Sequence, residues 1–292
     1  MSSLVRLVRD NAVFMEPIPT GVQDRGAPKA SVEAVLFDVY GTLFMSASGD
    51  LAPPGKQLPA EARRTLGSLL RKYGIGADPS AVHGAFVDEI RAVHARLREK
   101  GVDCPEVDVR KVWGELLGFR DAGLINELAV EYEAVFNPVW PMLHADRMIA
   151  RLREHGVLLG IVSNAQFFTP LLFRAFFGGQ PDRIGFERDL LFYSYRYGRA
   201  KPSAFLHQRA AEALGKRGIP VPHCLYVGND MLNDVLPASV TGYQTALFAG
   251  DRRSLRLREE DPRCRSLHPD MVVTDLGELA EVIINDLRSS KG

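Results

Sequence analysis

The sequence predicts an α/β protein built on a parallel sheet that is interrupted once, after its first strand, by a block of helices. Three observations carry that expectation. Short apolar runs of strand length recur along the chain, each closes on a cluster of polar residues, and stretches with helical spacing lie between them. The 292 residues are 46% hydrophobic and 25% charged, which suits a folded chain with a buried core and excludes disorder, collagen and coiled coil.

Residues 1–31 hold Pro17, Pro19 and Pro28 and a polar stretch around Gln23 to Gly26, and they read as an extended leader wrapping onto the body. Val32 to Phe37 is the first apolar run, a buried strand whose carboxyl end opens into a turn at Asp38, Gly41 and Thr42. Residues 51–140 change character. Pro59 precedes a helical pattern of Ala62, Leu66, Leu69, Leu70 and Tyr73, and Asp78-Pro79 is an N-cap followed by proline at the first helical position. The next helix carries Val82, Phe86, Ile90, Val93 and Leu97 and stops at Gly101; further helical segments fall near 108–118 and 122–136. From 141 onward helix and strand alternate again, with a helix near 144–155 and apolar runs at Val157 to Val162, Cys224 to Val227, Thr245 to Phe248 and Met271 to Val273. The organisation expected is a leader (1–31), an α/β core (32–50 and 141–292) and a helical cap (51–140).

Lys and Arg number 36 and Asp and Glu 36, so nothing in the net charge neutralises a run of phosphates, and nucleic acid is not an expected partner. Cys104, Cys224 and Cys264 are odd in number and widely spaced, without zinc or disulfide spacing. The first ten residues interrupt their apolar positions with charges, unlike a signal peptide, and no stretch is long enough to span a bilayer. A cytoplasmic location is expected, with no membrane partner.

Four polar clusters stand at predicted strand ends, where α/β sheets place ligands. The first, Asp38-Val39-Tyr40-Gly41-Thr42-Leu43, offers a carboxylate on rigid backbone that can act as a nucleophile or simply cap a turn. The second, Ser163-Asn164, offers a hydroxyl and an amide for an anionic oxygen, or again a turn. The third is Lys201, placed just before a helix that starts at Pro202-Ser203, with an ammonium able to neutralise charge near Asp38 or to point into solvent. The fourth, Gly228 to Asp234, brings Asp230 and Asp234 beside Asn229 and Asn233, hard oxygen ligands that suit Mg²⁺ or equally the N-cap of a helix.

In this order the four clusters resemble those of the haloacid dehalogenase (HAD) superfamily of aspartyl-nucleophile hydrolases, over residues 32–50 and 141–285. The resemblance implies a Rossmann-like parallel sheet with an inserted all-helical cap. By position it makes Asp38 the nucleophile, Ser163 the second-motif hydroxyl, Lys201 the third-motif lysine, and Asp230 and Asp234 the fourth-motif acids. Thr42, Asn164 and Asn229 then line the substrate, and Asp38, the Tyr40 carbonyl, Asp230 and Asp234 form the candidate Mg²⁺ set.

Where the family usually has a second aspartate, two residues after the nucleophile, this chain has Tyr40. Relatives with Asp-x-Tyr-Gly-Thr-Leu resemble 2-haloacid dehalogenases, whose halide leaving group needs no proton; the Arg-x-x-Gln-Leu-like cap helix of those enzymes has no counterpart at Leu66 to Tyr73. Asn229 stands where many relatives have the first acid of the fourth motif. The expected activity is Mg²⁺-dependent phosphoester or acyl-phosphate hydrolysis of a small anionic metabolite, with Tyr40 too weak a base to serve alkyl phosphates well. The alternatives are metal-independent carbon–halogen hydrolysis and a non-catalytic binding protein. In the cap, His83 and His94 share a helix face with Phe86, Ile90 and Leu97, so each either packs at the edge of the apolar stripe or projects toward a ligand, and His94 is the candidate kept.

Overall fold

The computed structural model describes residues 3–47 and 58–289. The expected boundary between core and cap at 50/51 therefore lies outside the described residues. The leader differs from expectation: Ser3–Asp10 is a helix, α1, with Val5 and Val8 buried on one side and Arg6, Arg9 and Asp10 on the other. After it the chain is extended and adds a two-residue strand, β1 (Arg25–Gly26).

The elements that follow are β2 (Ala34–Phe37), β3 (Phe44–Ser46), α2 (Ala60–Lys72), α3 (Pro79–Glu99), α4 (Val109–Leu117), α5 (Ala122–Phe136), β4 (Val139–Pro141), α6 (Ala145–Glu154), β5 (Leu158–Ser163), α7 (Thr169–Phe176), α8 (Pro181–Ile184), β6 (Phe186–Tyr193), α9 (Ser194–Tyr197), α10 (Phe205–Lys216), β7 (Cys224–Gly228), α11 (Leu236–Thr241), β8 (Gln244–Phe248), β9 (Met271–Val273) and α12 (Leu276–Ser289). Seven strands form one sheet in the order β1-β9-β8-β7-β2-β5-β6, parallel throughout except for antiparallel β1 at its edge. β2 lies at the middle, between β7 and β5, so the loop after Phe37 opens at the centre of the sheet's carboxyl edge.

Alternation along the strands divides the core into two layers. Val35 and Phe37 of β2 pack with α6, α7 and α12, whereas Ala34 and Leu36 pack with α10 and α11 on the opposite face. Both faces of β2 are therefore fully covered, which is why its sequence is an unbroken apolar run.

Helices α2–α5 leave and rejoin this body through an antiparallel ribbon of β3 and β4. Asp78 caps α3 as expected, accepting from the Ser80 and Ala81 amides at 3.0 and 3.1 Å. Inside the helical block, Trp113 stacks on Phe86 with ring centroids 4.2 Å apart, and His83 is fully buried with Nδ1 2.6 Å from the Tyr132 hydroxyl. One expected start is displaced: Pro202-Ser203 does not open a helix, because residues 201–204 form a turn and α10 begins at Phe205. Three further strands, β6 and the two of the β3–β4 ribbon, have no signal in the sequence pattern.

Candidate active site

The carboxyl ends of β2, β5 and β7 and the underside of the helical block enclose a cavity of about 300 Å³ lined by Asp38, Tyr40, His94, Asn164, Lys201 and Asp234, among others. Its floor is a buried charge cluster. Lys201 Nζ lies 2.7 Å from Asp38 Oδ1 and 2.5 Å from Asp234 Oδ1, and it also donates to the Tyr226 hydroxyl at 3.0 Å. Burial works against the ammonium, but Asp234 and Asp38 together hold its pKa above the usual lysine value. Burial pushes the Asp234 carboxyl up, against the pull of Lys201. Asp38 lines the cavity, with Oδ1 held by a cation and Oδ2 accepting no hydrogen bond among the described residues.

Local sequence explains how these groups meet. Gly41, at φ +83°, turns the chain immediately after Asp38, and a Cβ there would stand 2.6 Å from Asn229 Nδ2. Gly228 is equally constrained, since a Cβ would meet Asp234 Cγ at 2.3 Å. Tyr226, on the α10 side of β7, reaches up to donate to the Val162 carbonyl at 2.9 Å and lies 2.9 Å from Asp234 Oδ1. Asn164 clamps Lys201 through the backbone: its Oδ1 accepts from the Lys201 amide at 2.7 Å and its Nδ2 donates to the Lys201 carbonyl at 3.2 Å.

Three of the sequence-derived candidates thus have structural work of their own. Asn164, expected to line substrate, lines the cavity and also positions Lys201. Asn229 lines the cavity, but its Oδ1 accepts from the Thr42 hydroxyl at 3.2 Å and its Nδ2 donates to the Ser254 carbonyl at 2.6 Å. An aspartate at 229 would put a carboxylate against that carbonyl, which accounts for an amide here. Thr42 and Ser163 are fully buried and do not line the cavity; Ser163 Oγ has only a 3.4 Å contact with the Asn164 carbonyl. His94 does line the cavity, with Nε2 buried and unpartnered, and burial lowers its pKa.

Tyr40 points its hydroxyl at Thr169 Oγ1, 2.9 Å away. Desolvation, with the charge of Glu133, raises the phenol well above its ordinary pKa, so it stays neutral and is no base at neutral pH.

The candidate Mg²⁺ set is not assembled. Asp234 is paired with Lys201, while Asp230 is gripped by Arg258, with Nη2–Oδ2 at 2.6 Å and Nε–Oδ1 at 3.1 Å. Asp230 also caps the wide helical turn at Met231–Val235, accepting from the Leu232 and Asn233 amides at 2.8 and 3.2 Å. Among the described residues no three acidic, His or Cys side chains converge as a metal site. As arranged, these donors fit an ammonium and a guanidinium, not a divalent cation.

Sequence reasoning missed the cap-side and loop-side walls. Glu106, in the loop between α3 and α4, and Glu133, on α5, both line the cavity, and burial pushes each carboxyl up to about 7. Arg256 and Arg258 come from the long connection between β8 and β9, which is stitched beside the fourth cluster by Arg256 N to Asn229 O at 3.0 Å and Met231 N to Arg256 O at 2.9 Å. Isolated charged residues on a helix and in a loop carry no spacing signal; the only hint was a pair of acids, Glu131 and Glu133, in the otherwise apolar run Leu128 to Phe136.

Residues 198–279, which hold Lys201 and the whole fourth cluster, match the family model described as HAD-hydrolase-like. A comparison with curated proteins finds no match. Among solved structures, the 2-haloacid dehalogenase from Pseudomonas syringae pv. Tomato DC3000 is 18% identical, covering 87% of this chain and 99% of that one, at a TM-score of 0.51. The L-2-haloacid dehalogenase RSc1362 is likewise 18% identical over 87% and 99%, at 0.50. A HAD phosphatase from Thermococcus onnurineus is 18% identical over 86% and 98%, at 0.49. At these identities the likeness to the two dehalogenases is one of fold.

Proposed function

Starting from a HAD-like hydrolase with its polar clusters gathered at one sheet edge, we propose that this chain hydrolyses small anionic substrates through a covalent intermediate on Asp38, and that the leaving group is one that departs without a proton. The observation that carries this reading is Asp38 itself: it lines the cavity, Oδ1 is paired with Lys201 at 2.7 Å, Oδ2 accepts no hydrogen bond among the described residues, and the neighbour that would supply a proton is the phenol Tyr40, whose pKa burial raises further. A carboxylate of an acyl phosphate and a halide of a 2-haloacid both meet that condition, each leaving as an anion with its bonding electron pair. Lys201, Arg256 and Arg258 line the same cavity, Lys201 and Arg258 offsetting the charges of Asp38, Asp234 and Asp230 that an anionic substrate would otherwise meet.

In the first step an Asp38 oxygen bonds to the phosphorus or carbon of the substrate while the bond to the leaving group breaks. Lys201, fixed by Asn164, Tyr226 and Asp234, pairs with one carboxylate oxygen and holds the group in place. Phosphoryl transfer with Mg²⁺ is the activity that the motif order alone suggests. Support for a metal-assisted form is limited to Asp230 and Asp234 both lining the cavity, and a dication would have to displace Arg258 or Lys201 to reach them.

The test is intact-mass analysis after acid quench, with acetyl phosphate, 2-chloropropionate and an alkyl phosphate, each with Mg²⁺ and with EDTA. The expected outcome is an adduct from one of the two activated substrates, absent in Asp38→Asn and absent with the alkyl phosphate. Hydrolysis of the alkyl phosphate as fast as acetyl phosphate would refute the leaving-group argument. Adduct formation only with Mg²⁺ would overturn the ammonium-based site.

A further inference from the structure

The Asp38 intermediate has to be broken by water, and water attacking it must lose a proton. Tyr40 cannot take it, and most of the other acids around the cavity are committed. Glu106 Oε2 accepts from Ser194 Oγ at 2.7 Å and its Oε1 from the Val107 amide at 2.8 Å. Both oxygens of Asp230 are held by Arg258. Asp234 Oδ1 is taken by Lys201 and Tyr226, and its Oδ2 by the Asp230 amide at 2.9 Å.

Glu133 is different. Its Oε1 accepts from Asn137 Nδ2 at 3.0 Å, and Asn137 is itself buried and oriented by Ser46 Oγ, which donates to its Oδ1 at 2.6 Å. That relay fixes the carboxyl on the cap wall of the cavity and leaves Oε2 without a protein hydrogen bond among the described residues. Glu133, Asp38 and Tyr40 line the same cavity, and the charges of both carboxylates act on the Tyr40 phenol. We propose that Glu133 Oε2 is the proton acceptor for the water that breaks the Asp38 intermediate, a role that rests on the covalent reading above.

The step balances on either branch. With a phosphoryl group on Asp38, the water oxygen bonds to phosphorus, one water proton passes to Glu133, and the P–O bond to Asp38 breaks to restore its carboxylate. With an ester, water adds to the Asp38 carboxyl carbon, Glu133 takes the proton, and the departing alkoxide receives it as the C–O bond breaks. A carboxyl that burial has raised to about 7 is matched to accepting and releasing a proton near neutral pH.

The experiment uses the full chain, the same two activated substrates, and the variants Glu133→Gln and Asp38→Asn, with adduct formation and decay followed separately by quench and mass. Glu133→Gln keeps an oxygen for Asn137, so it is expected to form the adduct and to lose it about 10²-fold or more slowly. Decay within about threefold of the unmutated chain, against the ~10²–10⁴-fold typical of a positioned base, overturns the assignment to Glu133 while leaving the Asp38 intermediate standing. An unmutated chain that forms no adduct overturns the covalent reading and this proposal with it. Should Glu133→Gln fail to fold, decay of the unmutated adduct in D₂O still decides: equal rates in H₂O and D₂O refute transfer of a water proton in that step.

Discussion

Lys201 is the residue on which the floor of the site depends, because its ammonium stands between two buried carboxylates, with side-chain exposures of 2% for Lys201, 10% for Asp38 and 2% for Asp234. Replacing it with methionine keeps the bulk and leaves Asp38 and Asp234 facing each other undischarged. Breaking a buried pair in this way typically costs about 3–5 kcal/mol. The loss in Lys201→Met is expected to be largest at pH 8 and smaller at pH 5.5, where Asp234, already raised by burial, takes up a proton. Urea unfolding at both pH values measures this, and an equal loss at both would show that the two carboxylates are not coupled through the lysine. Glu106 makes a second prediction of opposite logic. Its carboxyl rises from 4.5 to about 7 in the fold, mainly by burial, so the folded chain binds a proton that the unfolded chain has already released. Its stabilising contribution is therefore complete below about 4.5 and is lost as pH rises through about 7, a swing of about 3 kcal/mol. Glu106→Gln should flatten that slope and be the more stable chain at pH 8; an unchanged slope would mean that the carboxyl is ionised at neutral pH. The sequence made Asp38 and Lys201 legible because motif order and strand ends constrain them. It did not make Glu106 or Glu133 legible, since each acquires its chemistry from burial that only the packed cap provides.

Elements read from pattern were legible to the extent that they bury one consistent face. β2, β5, β7, β8 and β9 are short apolar runs because both their sides are covered. β6 escaped because it is an edge strand whose middle, Glu187 to Asp189, is charged, and its two acids bind Arg217, the residue that ends α10, at 2.7 and 2.5 Å. α1 escaped because the prolines that follow it drew the whole leader toward an extended reading, although Val5 and Val8 stand three apart with Leu4 and Leu7 beside them. That helix packs on α5, which carries Glu133, and on α7, whose Ala175 carbonyl accepts from Arg9 Nε at 2.7 Å. It ties the cap to the core. Val5 is completely buried in that seam, so Val5→Ala should cost about 2 kcal/mol by lost transfer energy and residual cavity. A change below about 0.5 kcal/mol in urea unfolding, the range of surface substitutions, would mean that α1 does not hold its place on the body.

At the scale of the whole molecule, the leader backs both walls of the cavity that the motifs did not announce. Its helix supports α5, and its extended part supports the arginine-bearing connection: the Ile18 amide donates to Asp251 Oδ1 at 3.1 Å, the Arg252 amide to the Ile18 carbonyl at 2.8 Å, and the Thr20 hydroxyl to the Ala249 carbonyl at 2.8 Å. Asp251 is buried there and pairs with Arg253 at 3.0 Å, so the connection is anchored just before it delivers Arg256 and Arg258. A chain whose charges cancel overall has in this way placed guanidinium opposite Asp230, the acid that the motif order offered to a metal. If Arg258 is what keeps Asp230 from a divalent cation, removing it should create a response that the unmutated chain lacks. Arg258→Gln is expected to lose stability in EDTA, because Asp230 is left without its cation, and to regain it as Mg²⁺ is added, by an amount that grows with the logarithm of the metal concentration. The unmutated chain should show the same melting temperature in Mg²⁺ and EDTA, and the same rate of adduct formation. Equal stabilisation of both chains by Mg²⁺ would mean that the guanidinium yields readily to the metal, and the charge arrangement at this sheet edge would then belong to a metal-assisted hydrolase.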